Sequence, residues 1–172
     1  RHGLPGSFAT AAAAAALTAD YEIVLVNDGS PDESLAIARN LLAHDPHVRI
    51  VDLSRNFGHH KAMMTGLAHA RGDRVFLIDA DLEEEPELLA QFHETLQRQD
   101  ADVVYGVQAA RRGSAFERLS GWIFFKAFNW MSDVPIPVNV VTVRLMTRRY
   151  VNALLEHRER ETIIAGLWAI TG

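Results

Sequence analysis

The chain has 172 residues, 48% of them hydrophobic and 23% charged, with a net charge of -5 at pH 7. That length suits one globular domain with a real core, and the acidic balance excludes a surface built to coat nucleic acid, which needs excess Lys and Arg. There is no cysteine, so disulfides and thiolate metal sites are excluded, and any metal must be held by oxygen or imidazole ligands.

In chain order, residues 11–16 are all alanine, the strongest helix former, and no chemistry is assigned to them. Residues 21–26 (YEIVLV) form an apolar, β-branched run that stops at Asn27-Asp28-Gly29-Ser30, which predicts a buried strand entering a turn. A helix should follow, since Ser30-Pro31-Asp32-Glu33 supplies capping residues and Leu35, Ile37, Ala38, Leu41 and Leu42 repeat at helical spacing. Residues 48–53 (VRIVDL) predict a second strand, followed by a polar loop at 54–58 and a helix over 59–70. A third strand, 74–78 (RVFLI), ends on Asp79-Ala80-Asp81, and Pro86 is expected to start a helix carrying Leu88, Leu89, Phe92 and Leu96. Residues 101–106 (ADVVYG) predict a fourth strand.

Strands alternating with helices at this spacing argue for a largely parallel sheet covered on both faces, with ligands at the carboxyl ends of the strands. Beyond it, residues 116–131 read as an aromatic-rich helix, 138–146 (VNVVTVRLM) as a strand that an antiparallel pairing would also suit, and 148–157 as a helix. No internal repeat or linker divides the chain, so a single domain over 1–172 is expected. The chain opens on Arg1 rather than Met and ends directly after an apolar stretch, and it is read as a fragment. No apolar stretch reaches the roughly 20 residues that cross a bilayer, and no signal peptide is visible.

The sharpest chemical feature is Asp79-Ala80-Asp81, two carboxylates at a strand end that can bridge a divalent cation and through it a diphosphate, with Glu83 in reach as a third ligand. The same acidic run, continued by Glu84 and Glu85, also suits a charged helix start. Asp28 stands where a base or ribose can donate hydrogen bonds to it, although Asn27-Asp28-Gly29-Ser30 equally describes an Asx turn. Arg55 in the 54–58 loop can reach a phosphate bidentately or remain a surface arginine, and Arg111, Arg112 and Arg118 can clasp an anionic acceptor or stay solvated. The eight histidines contain no H-x-x-x-H, and the adjacent His59 and His60 are expected to point apart. Dinucleotide, P-loop and nucleophile-elbow glycine motifs are all missing from the sequence.

In order and spacing, YEIVLVNDGSPDES, VDLSRNFGHHKAMMTGLAHARGD, FLIDADLEEEPELL and DVVYGVQAARR resemble the family-two glycosyltransferases of the A-type fold. They are most similar to the polyprenyl-phosphate branch of dolichol-phosphate mannosyltransferases and bactoprenol glucosyltransferases. The resemblance covers about residues 21–172. It implies a GT-A, Rossmann-like nucleotide-diphospho-sugar transferase fold whose first strand, together with a C-terminal region, is absent from this chain. It further implies an inverting enzyme taking sugar from a UDP- or GDP-sugar donor to polyprenyl phosphate at the inner face of the cell membrane. Asp28 would contact the nucleoside, Asp79 the ribose or diphosphate, and Asp81 with Glu83 a Mg or Mn ion. Arg55 would join the donor site, and Arg111 and Arg118 would receive the acceptor phosphate.

Three positions depart from that pattern. Glu83 replaces the usual Gln, Gln108 replaces an expected Arg, and Thr142 stands where an acid commonly precedes Val143-Arg144-Leu145. The last leaves the acceptor and any general base undefined, so transfer to a polysaccharide hydroxyl stands as one alternative, and the absent first strand leaves binding without turnover as another.

Overall fold

The structure is a computed structural model that describes residues 5–80, 84–107, 140–157 and 164–171. It begins with α1 (Pro5–Ala15), β1 (Ile23–Asn27), α2 (Ser34–His44), β2 (Val48–Asp52) and α3 (His59–His69). There follow β3 (Arg74–Leu77), α4 (Leu88–Gln99), β4 (Val103–Val107), β5 (Val140–Thr147), α5 (Arg148–Glu156) and α6 (Ile164–Thr171). Pro86 precedes α4 rather than opening it: the Glu85 and Pro86 carbonyls accept from Leu88 and Leu89 in a tight turn before the helix. The helix expected over 116–131 lies outside the described residues. α6 was not foreseen, because IAGLWAIT is apolar almost throughout and shows no helical period.

β1 and β2 pair in parallel, from Ile23 opposite Val48 to Asn27 opposite Asp52. β5 lies between β3 and β4 and runs antiparallel to both. β3 and β4 therefore share one direction, as the strand–helix alternation predicts, and β5 takes the antiparallel option. Its period of two serves two cores. Met146 packs with Leu67 of α3, with Tyr150, Val151 and Leu154 of α5, and with Leu167 of α6. Val143 and Leu145 meet Leu89, Phe92 and Leu96 of α4, with Ala13 and Ala14 of α1 beside them. Helices thus cover both faces of this sheet.

Among the described residues β1 has a strand partner only in β2, and β3 only in β5. α3 spans the two sheets. A Cβ on Gly66 would stand 3.0 Å from Cγ2 of Val26, while the next residue, Leu67, enters the cluster that holds Val75. The strand starts are tied as well, because the Glu22 carboxylate accepts from the Arg49 guanidinium at 2.7 Å and from the Arg71 N–H at 2.5 Å. Burial pushes the Glu22 carboxyl up, but those two donors outweigh it and hold it below its usual range. At the far corner the Thr147 hydroxyl donates to Asp102 at 2.7 Å and accepts from the Tyr150 N–H, which caps α5. No helix among the described residues is long and apolar enough to cross a membrane.

Candidate active site

The carboxyl end of β1 is organised by its own polar residues. Asn27 donates from its amide to Asp52 at 2.8 Å, so the ends of β1 and β2 are pinned side by side. Gly29 turns the chain with φ of 66°, a conformation that L side chains rarely adopt. The turn lies hard against the loop after β2: a Cβ at Gly29 would stand 2.6 Å from the Asn56 nitrogen.

Asp28 reaches across this contact. Its Oδ1 accepts from the Phe57 N–H at 2.7 Å and its Oδ2 from the Gly58 N–H at 2.9 Å. Gly58 has φ of 94° and is the N-cap of α3, and its N–H is shared between Asp28 and the Asn56 side chain, which accepts at 3.0 Å, so the carboxylate helps hold the loop that enters the helix. The sequence singles out Asp28 as a candidate nucleoside contact and does not reveal these backbone bonds. Each carboxylate oxygen keeps a further lone pair, so the two backbone bonds leave room for a nucleoside donor.

Arg55 lies in the same loop with its guanidinium carbon 4.5 Å from the centroid of Phe57, and it makes no ion pair among the described residues. Phe57 is 38% exposed, so the stacked pair borders solvent beside Asp28. His59, the first residue of α3, carries the arrangement to the end of β3. Its Nε2 is 3.8 Å from Oδ1 of Asp79, with side-chain exposures of 58% and 28%. The rings of His59 and His60, expected to diverge, have centroids 5.7 Å apart. Asp28, Arg55 and Asp79 are thereby gathered at one end of the molecule, with His59 as the link that sequence reasoning missed.

Asp81, Glu83, Arg111, Arg112 and Arg118 lie outside the described residues. Among the described residues no group of three or more acidic or imidazole side chains is placed to hold a metal ion.

The profile of the family described as "Glycosyl transferase family 2" matches residues 4–155. The chain belongs to glycosyl transferase family 2. A relative from Mycobacterium tuberculosis (strain CDC 1551 / Oshkosh), named among "Putative glycosyltransferases", is 56% identical over 161 residues, covering 94% of this chain and 47% of the relative. An undecaprenyl-phosphate 4-deoxy-4-formamido-L-arabinose transferase from Pseudomonas fluorescens (strain SBW25) is 37% identical over 156 residues, covering 90% of this chain and 46% of the relative. The chain thus spans about half the length of these curated relatives. Its fold is similar to that of the crystal structure of S. aureus TarS 1-349, with a TM-score of 0.57 at 17% identity, over 99% of this chain and 52% of that one. The GT-A architecture and the family read from the ordered motifs are the ones found.

Proposed function

We propose that this family 2 domain transfers a glycosyl group from a UDP- or GDP-sugar to an acceptor, with inversion, at the carboxyl ends of β1 and β3. The observation that carries the reading is the convergence of Asp28, Arg55 and Asp79 through the 54–58 loop and His59. Asp28 is the acceptor for nucleoside donors, and Arg55 is free to turn from Phe57 to a phosphate. The Asp79 carboxylate meets only His59 among the described residues, which leaves its oxygens available to ribose hydroxyls.

Carboxylate oxygens are suitable ligands for a hard divalent cation, so Asp81 and Glu83, with Asp79 beside them, fit Mg or Mn by donor chemistry. When bound, such an ion supplies positive charge against a departing nucleoside diphosphate.

Polyprenyl phosphate is the acceptor this reading favours. The support is the likeness to an undecaprenyl-phosphate sugar transferase and the Arg111 and Arg118 positions after β4. A lipid phosphate is an anion near neutral pH and attacks without a strong base, which accords with Thr142 in place of an acid. This chemistry belongs at the inner face of the cell membrane.

The test is incubation with radiolabelled UDP-glucose, UDP-N-acetylglucosamine or GDP-mannose, Mn²⁺, and either undecaprenyl phosphate or a polysaccharide acceptor. Label passing to the organic phase supports the lipid acceptor, and label on the polysaccharide replaces it with a hydroxyl acceptor. Nucleotide binding without label in either product would support a binding module.

A further inference from the structure

Arg144 is the one charged side chain buried among the described residues, at 1% exposure. It lies in the middle of β5, opposite Leu77 of β3 and Tyr105 of β4. Its guanidinium stacks on the Trp168 ring of α6, 3.0 Å from the centroid. Its Nε donates to the Thr142 carbonyl at 3.0 Å and its Nη2 to the Val141 carbonyl at 3.1 Å. The Trp168 indole N–H beside it is buried and has no hydrogen-bond partner among the described residues.

These bonds give the cation a direction. β5 runs antiparallel to β3, so residues 141 and 142 lie toward the carboxyl end of β3, and Asp79 is only two residues past Leu77 on that strand. The guanidinium is thus turned toward the floor of the strand-end site. No carboxylate ion pair forms with it among the described residues, and burial pulls its pKa down to about 10 while leaving it charged at neutral pH. A buried cation without an acid partner costs stability, and its field is screened far less than that of a surface charge. The site above it collects carboxylates, so positive charge from below adds to that of Arg55 and a bound cation in favouring an anionic donor.

We propose that Arg144 is a charge-balancing residue for the donor diphosphate, a guanidinium held beneath the strand ends that favours an anion at the end of β3 without touching it. The proposal rests on the nucleotide-sugar reading. It separates two contributions to donor affinity: the nucleoside is held from the loops around Asp28, and the diphosphate is favoured from the core.

The test is calorimetric titration with uridine, UDP, guanosine and GDP, in Mn²⁺, of the chain and of Arg144→Gln and Arg144→Lys. Arg144→Gln is expected to lose at least tenfold of the diphosphate-over-nucleoside preference while nucleoside affinity stays within twofold. Arg144→Lys should restore most of that preference, which a merely structural arginine would not require. An unchanged preference in Arg144→Gln, or equal losses for nucleoside and diphosphate, overturns the proposal. If circular dichroism shows Arg144→Gln unfolded, the unaltered chain decides. Its diphosphate preference should fall less than threefold between 50 and 500 mM NaCl, and a fall beyond tenfold overturns the proposal in favour of exposed cations. Failure of the unaltered chain to prefer either diphosphate overturns the donor reading itself, and this proposal falls with it.

Discussion

The Asp28 carboxylate accepts the Gly58 N–H at 2.9 Å across 30 positions of sequence, and in doing so fixes where α3 begins. Because α3 opens with His59, which stands beside Asp79, one carboxylate at the end of β1 sets the spacing between the two acidic strand ends.

Replacing Asp28 with Ala strands the Phe57 N–H and leaves the Gly58 N–H with only the Asn56 side chain, at 3.0 Å, at the start of α3. Losses of this kind run to about 1–2 kcal/mol. The melting midpoint should drop by about 3–6 °C in a chain of this size, as read by circular dichroism. Asp28→Asn keeps one acceptor and should recover part of the midpoint. Its nucleotide affinity should stay low if the second oxygen is the one that reads the nucleoside.

Gly29→Ala tests the contact between the two loops. The added Cβ meets backbone atoms at 2.6 and 2.8 Å, which cannot swing aside as a flexible side chain can, at a residue with φ of 66°. A cost of about 1–3 kcal/mol is expected. Amide protection of Phe57 and Gly58 in hydrogen exchange should fall with it, and unchanged protection would mean that the 54–58 loop is not held by this turn.

Asp79→Asn preserves shape and removes charge. If Asp79 holds the ribose or diphosphate, transfer from a nucleotide-sugar should fall about 100-fold or more, an electrostatic effect of about 3 kcal/mol. His59→Ala is expected to fall by about tenfold or less, because His59 borders Asp79 without replacing its oxygens. Initial rates for the two variants, with midpoints unchanged, check both expectations.

Glu22 predicts an acid-sensitive fold. Its carboxyl is held below its usual range by Arg49 and the Arg71 N–H, despite the opposing effect of burial, so the folded state binds the proton less readily than the unfolded chain does. That contribution is complete above the unfolded value of about 4.3 and is lost as pH falls through the lower folded value. Both side chains are partly exposed, so the pair is worth about 1 kcal/mol or less. Glu22→Gln should melt lower at pH 7, by at most about 2–4 °C, with the gap closing as pH is taken below 4.

The sequence makes the strand ends visible because β-branched runs stop abruptly at Asn-Asp-Gly and Asp-Ala-Asp, signals that are local. What those ends touch is not local. Asp28 finds its donors 29 and 30 positions away, and Glu22 finds the Arg71 N–H 49 positions away, so neither partner can be read from spacing. Arg144 is a sharper case. In VVTVRLM a charged residue on a period-two strand suggests a solvated face, and only the packing of α6 above β5 shows that both faces are covered. α6 itself gave no helical period, since a short element that is apolar all round does not mark its inner side.

One edge of β1 and one edge of β3 have no strand alongside them among the described residues, though α3 packs against both strands. Such an edge is adhesive: its free N–H and C=O groups are a template for a guest strand. Where those edges stay open in the whole chain, light scattering should rise with concentration. A soluble, β-branched peptide able to lie along the open edges should suppress that scattering, whereas a proline-substituted version of it should not.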